Sequence, residues 1–302
     1  MALIALVSAK GDGVTTAAAS LALAGRRPVL LAELDMAGGS LRHGLLRDVP
    51  RGPHSERLDG RIGLHRLPQA DCERGRREGD FTPQVAEHLW PLDDSDDRVA
   101  LPGLTDPRQA ASLAGIWPTL VNVLQLTDQQ LRWDVLVDGG RLAWEGGRLH
   151  PVLTPAPVLR EADLVLLVVR ASEAGQALAF PTVQALLAEL AGAGRGWQAL
   201  GLLLVGDGYR NQEVGHALGA PVLASLPWDP AAAAYLAAGG SMPRAVIRSR
   251  LMRAARDAMG PLREHADRRR LMMQMSGAEP NTAGAASLVQ QLAAGADGGS
   301  HG

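Results

Sequence analysis

Seven short apolar runs punctuate the chain: ALIALVSA (2–9), PVLLAELD (28–35), RVALPG (98–103), WDVLVD (133–138), ADLVLLVVR (162–170), ALGLLLVGD (199–207) and APVLASLP (220–227). Their hydrophobicity is continuous rather than alternating, which fits strands buried on both faces. Helical stretches fall between them. This alternation predicts an α/β fold with three layers, α-β-α, around a mostly parallel central sheet. TTAAASLALAG (15–25) reads as an Ala-rich helix closing at Gly25. TDPRQAASLAGIW (105–117) and DPAAAAYLAAGG (229–240) each carry Asp-Pro, a capping carboxylate followed by a first-turn proline. Pro118 is expected to kink or end the former.

Two regions break the alternation. Residues 47–97 hold charge clusters (ERGRREGD, DDSDD) around weak apolar patterns and read as a variable insertion, helical near 82–90. Residues 276–302 are rich in Gly, Ala and Ser, the composition of a disordered tail. The expected organisation is one domain over 1–262, a basic Met-rich helical extension over 263–275, and that tail.

Composition narrows the function. The 302 residues are 46% hydrophobic with a formal net charge of −2, enough to build a substantial core. A single cysteine, Cys72, excludes an internal disulfide framework and a cysteine-ligated zinc or iron–sulfur centre. A reducing, cytoplasmic setting is expected. No run approaches the ~18 apolar residues of a membrane span. Of the 30 basic residues only Lys10 is lysine. In an Arg-biased chain a retained lysine is informative, because a guanidinium fork does not replace a compact ammonium beside crowded backbone amides.

Lys10 lies in SAKGDGVTTAAASLA (8–22), a strand, a Gly-rich turn and a helix opening on two threonines. Such a turn cradles phosphate with backbone N–H groups and the positive end of the helix. Gly11 and Gly13 allow the close approach, and Thr15, followed by Thr16, offers a hydroxyl to Mg²⁺. An ordinary Gly turn is the competing reading.

The loop Lys10-Gly11-Asp12-Gly13-Val14-Thr15-Thr16 resembles K-G-G-x-G-K-[ST]-T of the ParA/MinD family of deviant Walker-A P-loop ATPases. The likeness continues through most of residues 1–243. LLAELDMAGG resembles the family's switch I, with Glu33 and Asp35 at its acidic positions, WDVLVDGG its Walker B strand ending at Asp138, and LPWDP the late segment beside the adenine. The resemblance implies ATP or ADP with Mg²⁺ as cofactors and a nucleotide-dependent homodimer across which Lys10 reaches the partner's phosphates. It implies Asp35 orienting the attacking water, Thr15, Asp35 and Asp138 around the metal, and Asp207, Pro227 and Asp229 near the base. For Asp35 and Asp138 a plain capping role stays open.

Three departures follow. Val14 stands where the family's second lysine contacts the β- and γ-phosphates, the loop is one residue short, and Asp12 adds a negative charge. Loss of one cation from the transition state costs several kcal/mol. The valine form resembles loops in ParA-like proteins of Arg-rich, high-GC bacteria, and relatives with degraded loops include the TadZ/CpaE proteins. The expectation is a nucleotide-controlled spatial organiser with weak or absent ATPase activity, serving polar, secretion or pilus machinery or chromosome or plasmid partitioning. A pseudo-ATPase adaptor acting through an unidentified protein partner is the alternative. Arg244 to Arg270 carries nine Arg against three acids. Its first part is expected to pack on the sheet, while DRRRLMMQM is a candidate contact for anionic membrane, nucleic acid or a partner groove.

Overall fold

In the computed structural model, residues 2–52, 54–74, 82–95, 97–240 and 243–275 are described. The expected tail, 276–302, lies outside them, as does most of the ERGRREGD cluster. All seven apolar runs form strands. In chain order the elements are β1 (Leu3–Ser8), α1 (Val14–Ala24), β2 (Val29–Glu33), α2 (Leu67–Arg74), α3 (Thr82–Glu87), β3 (Trp90–Pro91), β4 (Arg98–Leu101), α4 (Trp117–Gln129) and β5 (Asp134–Arg141). There follow a small hairpin, β6 (Trp144–Glu145) and β7 (Arg148–Leu149), then α5 (Ala156–Glu161), β8 (Leu164–Arg170), α6 (Glu173–Gly192), β9 (Leu200–Val205), α7 (Asn211–Leu218), β10 (Val222–Leu226), α8 (Pro230–Ala238), α9 (Arg244–Ile247) and α10 (Arg250–Met275).

The main sheet has the order β10-β9-β8-β1-β5-β2-β4-β3 and is parallel except for β3 at its edge. β1 sits between β5 and β8, so the chain turns away in opposite directions on its two sides. In open α/β sheets this switch point, at the strands' C-terminal ends, forms the crevice where ligands bind. One face is covered by α4, α5, α6 and α7 through residues such as Leu120, Leu124, Leu159, Val183 and Val214. The other is covered by α1, α8 and α10 through Ala18, Leu21, Leu236, Leu251, Ala255 and Leu262. α1 packs against the sheet with α10 and α8 beside it, and its small residues let these elements approach closely.

Local expectations met the structure unevenly. Asp106 caps a 3₁₀ helix over Pro107–Gly115, accepting from the Arg108 amide at 2.8 Å, and Asp229 caps α8 through the Ala232 amide at 3.1 Å. Pro118 opens α4 from its first turn rather than kinking one long helix. Missing its own amide proton, it is tolerated there, where no helical acceptor is needed. Gly25 ends α1 with an extended φ of −58° rather than a left-handed one.

The boundary expected at 262 falls inside α10, which continues through Pro261 to Met275. Three of the four arginines in its second half face inward. Arg263 pairs with Asp134 at the start of β5, Arg269 donates to the carbonyls of Ala162 (3.2 Å) and Arg195 (2.9 Å), and Arg270 binds both Asp128 and Asp163. Asp163 also accepts the Leu3 amide at 2.9 Å. These contacts fasten α10 to the N-terminal edge of β1, β5 and β8, so Arg263, Arg269 and Arg270 are not a free phosphate-binding surface. Burial pushes the Asp128 carboxyl up to about 6 against the pull of Arg270. Truncating a partner of such a pair strands a buried charge, at a cost of about 3 kcal/mol or more. Arg270→Ala should therefore lower the Tm by roughly 6 °C or more in thermal unfolding, while exposed Arg268→Ala stays within about 0.5 kcal/mol of wild type.

Candidate functional site

The Gly-rich turn between β1 and α1 is held by its own backbone. Ser8 Oγ accepts the Gly11 amide at 2.6 Å, and the Gly11 carbonyl accepts the Gly13 amide at 2.7 Å. Two amides of the cradle are thus already used. Gly13 caps α1 at φ 86°, a left-handed conformation open to glycine at little cost. Beyond it the first-turn amides of Val14, Thr15 and Thr16 have no acceptor within the helix. Val14 is 4% exposed and packs in the core with Ala17 and Ala18, so the position of the family's second lysine supplies no charge. Lys10 is exposed and makes no ion pair among the described residues.

Beside the turn, three carboxylates meet at the ends of β2 and β5, whose register aligns Glu33 with Asp138. Glu33 is fully buried and committed: it accepts the amides of Ser40 (2.6 Å), Leu41 (2.8 Å) and Gly103 (2.8 Å). Burial still raises its pKa against those amides. It anchors the loop after β2, and its oxygens are not left for a metal. Asp35 accepts the Ala37 amide at 2.8 Å. Its carboxyl lies against Gly140, where a Cβ would come within 2.2 Å of Asp35 Cγ and φ is +62°. Burial raises the Asp35 pKa, opposed by the Ala37 amide and Arg141.

Asp138 is the one of the three that keeps a buried oxygen without a hydrogen-bond partner. It is completely buried, its Oδ1 accepts the Gly140 amide at 3.1 Å, its Oδ2 has no partner, and the nearby Thr15 hydroxyl pulls its pKa down. Burial, then the Glu33 charge, push its pKa up to about 7. A buried carboxylate oxygen without a donor, next to a threonine hydroxyl and a second carboxylate, is the donor set a hard divalent cation takes. Among the described residues no trio of His, Cys, Asp or Glu forms a metal cage. That is consistent with Mg²⁺, which keeps waters and phosphate oxygens in its shell. Thr15, Asp138 and Asp35 fit the ion; Glu33 does not.

A cavity of about 250 Å³ opens over the turn, lined at one end by Gly11, Asp12, Gly13 and Thr16 and at the other by Pro227, Trp228 and Asp229. Of the expected residues, Gly11, Asp12, Gly13, Thr16, Pro227 and Asp229 line this cavity, whereas Lys10, Val14, Thr15, Asp35 and Asp138 lie outside its lining. Asp207 is absent from the lining and its carboxylate pairs with Arg250 at 3.3 Å. Asp229 lines the cavity while serving as the cap of α8. Asp12 has its pKa raised by burial, partly offset by Arg170 and Lys10. Among the other lining residues are Arg170 at the end of β8, to which the sequence assigned no role in the site, and Leu251 of α10, expected only to pack the helix. A charge closing a wholly apolar run was the available signal for Arg170.

No family model and no curated protein sequence matches the chain. Solved structures do. A ParA family ATPase from Chlorobium tepidum superposes with a TM-score of 0.59 at 15% identity, covering 86% of this chain and 98% of that one. The septum site-determining protein MinD of Pyrococcus horikoshii, complexed with Mg-ADP, gives 0.59 at 16%, covering 89% and 99%. The fold is that of the ParA/MinD P-loop ATPases. A chain of the MinC:MinD cell division complex of Aquifex aeolicus gives 0.53 at 16%, covering 93% and 99%. In this fold the cavity and the Thr15–Asp138 pair lie at the switch point beside β1.

The charge state of Asp138 makes stability pH-dependent. Between the ordinary carboxylate value and about 7 the folded chain binds more protons than the unfolded one, so stability falls as pH rises through that window. In magnesium-free buffer Asp138→Asn should raise the Tm by several degrees at about pH 8 and by much less at about pH 5. Equal gains at both would show that the carboxyl is not held protonated. Gly140→Ala should destabilise by about 2 kcal/mol or more in denaturant unfolding, from φ strain and displacement of Asp35.

Proposed function

We propose that this chain is a nucleotide-binding protein of the ParA/MinD kind, with weak or absent ATP hydrolysis, that organises a larger cellular assembly in space under nucleotide control. The observation that carries the reading is the cavity over the β1–α1 turn. Its lining includes Gly11, Asp12, Gly13 and Thr16 at the helix N-terminus together with Leu226, Pro227 and Trp228, and outside that lining Asp138 keeps an unsatisfied buried oxygen. Polyphosphate against the amides of the turn and a planar base against Leu226 and Pro227 match that lining, and Mg²⁺ would be held by Thr15 and Asp138.

Slow chemistry follows from the same geometry. Phosphoryl transfer to water is accelerated by charge neutralisation and by a positioned water. Mg²⁺ supplies the first when bound. Asp35, the carboxylate of the cluster nearest solvent, is placed for the second. Against these stand the buried apolar Val14 and the Asp12 carboxylate inside the cavity. Exposed and unpaired, Lys10 is available to a second copy of the chain, which makes a nucleotide-dependent homodimer the proposed active form. The adaptor reading, in which the fold serves only protein contacts, draws its support from Val14 and Asp12. The outward-facing Arg244, Arg248, Arg253 and Arg268 are the surface left for nucleic acid or anionic lipid.

Calorimetric titration with Mg-ATP and Mg-ADP should give measurable binding of both, with phosphate release slower than the roughly 1 s⁻¹ low end of ordinary enzymes. Light scattering on size-exclusion eluates should show a dimer with ATP but not ADP. Lys10→Ala should remove the dimer while leaving monomer binding largely intact. Rapid turnover unaffected by Lys10→Ala would overturn the slow-chemistry reading, and failure to bind either nucleotide would leave the adaptor.

A further inference from the structure

The cavity's charge balance is unusual for a polyphosphate site. Of the residues lining it, Asp12 and Asp229 are acidic and Arg170 alone is basic. Arg170 is the last residue of β8, the neighbour of β1, which brings its side chain over the turn. The guanidinium lies 4.5 Å from the centroid of the Trp228 ring. It makes no ion pair or side-chain hydrogen bond among the described residues. An exposed arginine with no salt bridge is ordinarily a mobile side chain. This one is held by stacking on an indole, with its N–H fork bordering a cavity.

We propose that Arg170 is the phosphate-neutralising residue of this site, supplying in the same chain the cation that the buried Val14 does not. The ligand class is a nucleoside di- or triphosphate, its phosphates between the guanidinium and the first turn of α1. The proposal rests on the reading of the cavity as a nucleotide site and assigns the charge within it. Three physical points carry it. Arg170 is the lining group able to offset the added negative charge of a polyphosphate in competition with Asp12. A planar fork matches phosphate oxygens two at a time, and such charge-assisted bonds are roughly twice as strong as neutral ones. Stacking on Trp228 orients the fork in advance, so less side-chain freedom is lost on binding.

Asp12 sets the counterpoise. Without ligand, the field of Arg170 falls on the Asp12 carboxylate, and an incoming phosphate competes for the same cation. Removing the Asp12 charge is therefore expected to strengthen binding, and removing the Arg170 charge to weaken it in proportion to phosphate number. A purely structural Arg170, whose guanidinium stacks on the half-exposed Trp228 ring, predicts neither trend.

The test is binding of ATP, ADP, AMP and adenosine, each with Mg²⁺, to the full chain and to Arg170→Ala, Arg170→Lys and Asp12→Asn, read by calorimetry, with Tm recorded for each ligand-free variant. Arg170→Ala should weaken ATP and ADP binding by about tenfold or more and leave adenosine nearly unchanged. Arg170→Lys should fall between, and Asp12→Asn should tighten ATP by several-fold, all at near wild-type Tm. Wild-type affinity for ATP in Arg170→Ala overturns the inference while the nucleotide reading stands. Equal losses for ATP and adenosine also overturn it, assigning Arg170 to the support of Trp228. A wild-type chain that binds none of the four removes both.

Discussion

A carboxylate placed where water cannot reach it must be neutralised or protonated, and Asp138 occupies that position. Its strand is central, its neighbours are apolar, and the nearest charges are the carboxylates of Glu33 and Asp35. Glu33 has solved the same difficulty with three backbone amides, one of them from the loop after β4. Asp138 has one amide bond, from Gly140, and one bare oxygen. The tension has a natural release, a divalent cation on the side of Thr15, and Thr15 is fixed there only because Gly13 starts α1 where it does. Turn, first helix and central strand thus form one electrostatic unit, and the rest of the fold serves to hold those three ends together.

That unit was legible in the sequence because its parts are local. A strand, two glycines and two threonines are adjacent along the chain, and the acidic residues stand directly after continuous apolar runs. The seven long strands announced themselves for the same reason: hydrophobicity on both faces leaves an uninterrupted signal. What escaped was short or distant. β3 and the β6–β7 hairpin are two-residue strands with no period to detect. Arg263, Arg269 and Arg270 read as surface charge because their partners, Asp134, Asp128, Asp163 and the Arg195 carbonyl, lie 74 to 142 positions away. Asp207 shows the opposite error. It stands after a strand where the family often has Asn, and its exposed carboxylate pairs with Arg250 of α10 without lining the cavity.

α10 connects the two ends of the molecule. Its first turn supplies Leu251 to the cavity wall and Arg250 to Asp207, and its last turns carry the arginines fixed to the opposite edge of the sheet. At 1.5 Å per residue, its 26 residues span about 39 Å, well beyond the roughly 26 Å of the eight-residue β5. Buried ion pairs rarely add much net stability, because desolvation consumes most of their attraction. Their effect here is on position. A helix packed by Ala and Met alone could slide along α1 at small cost, whereas the Arg269 and Arg270 forks accept only one register, and that register sets where Leu251 meets the cavity. The composition that made this helix look like a surface for external phosphate instead fixes one wall of the internal site.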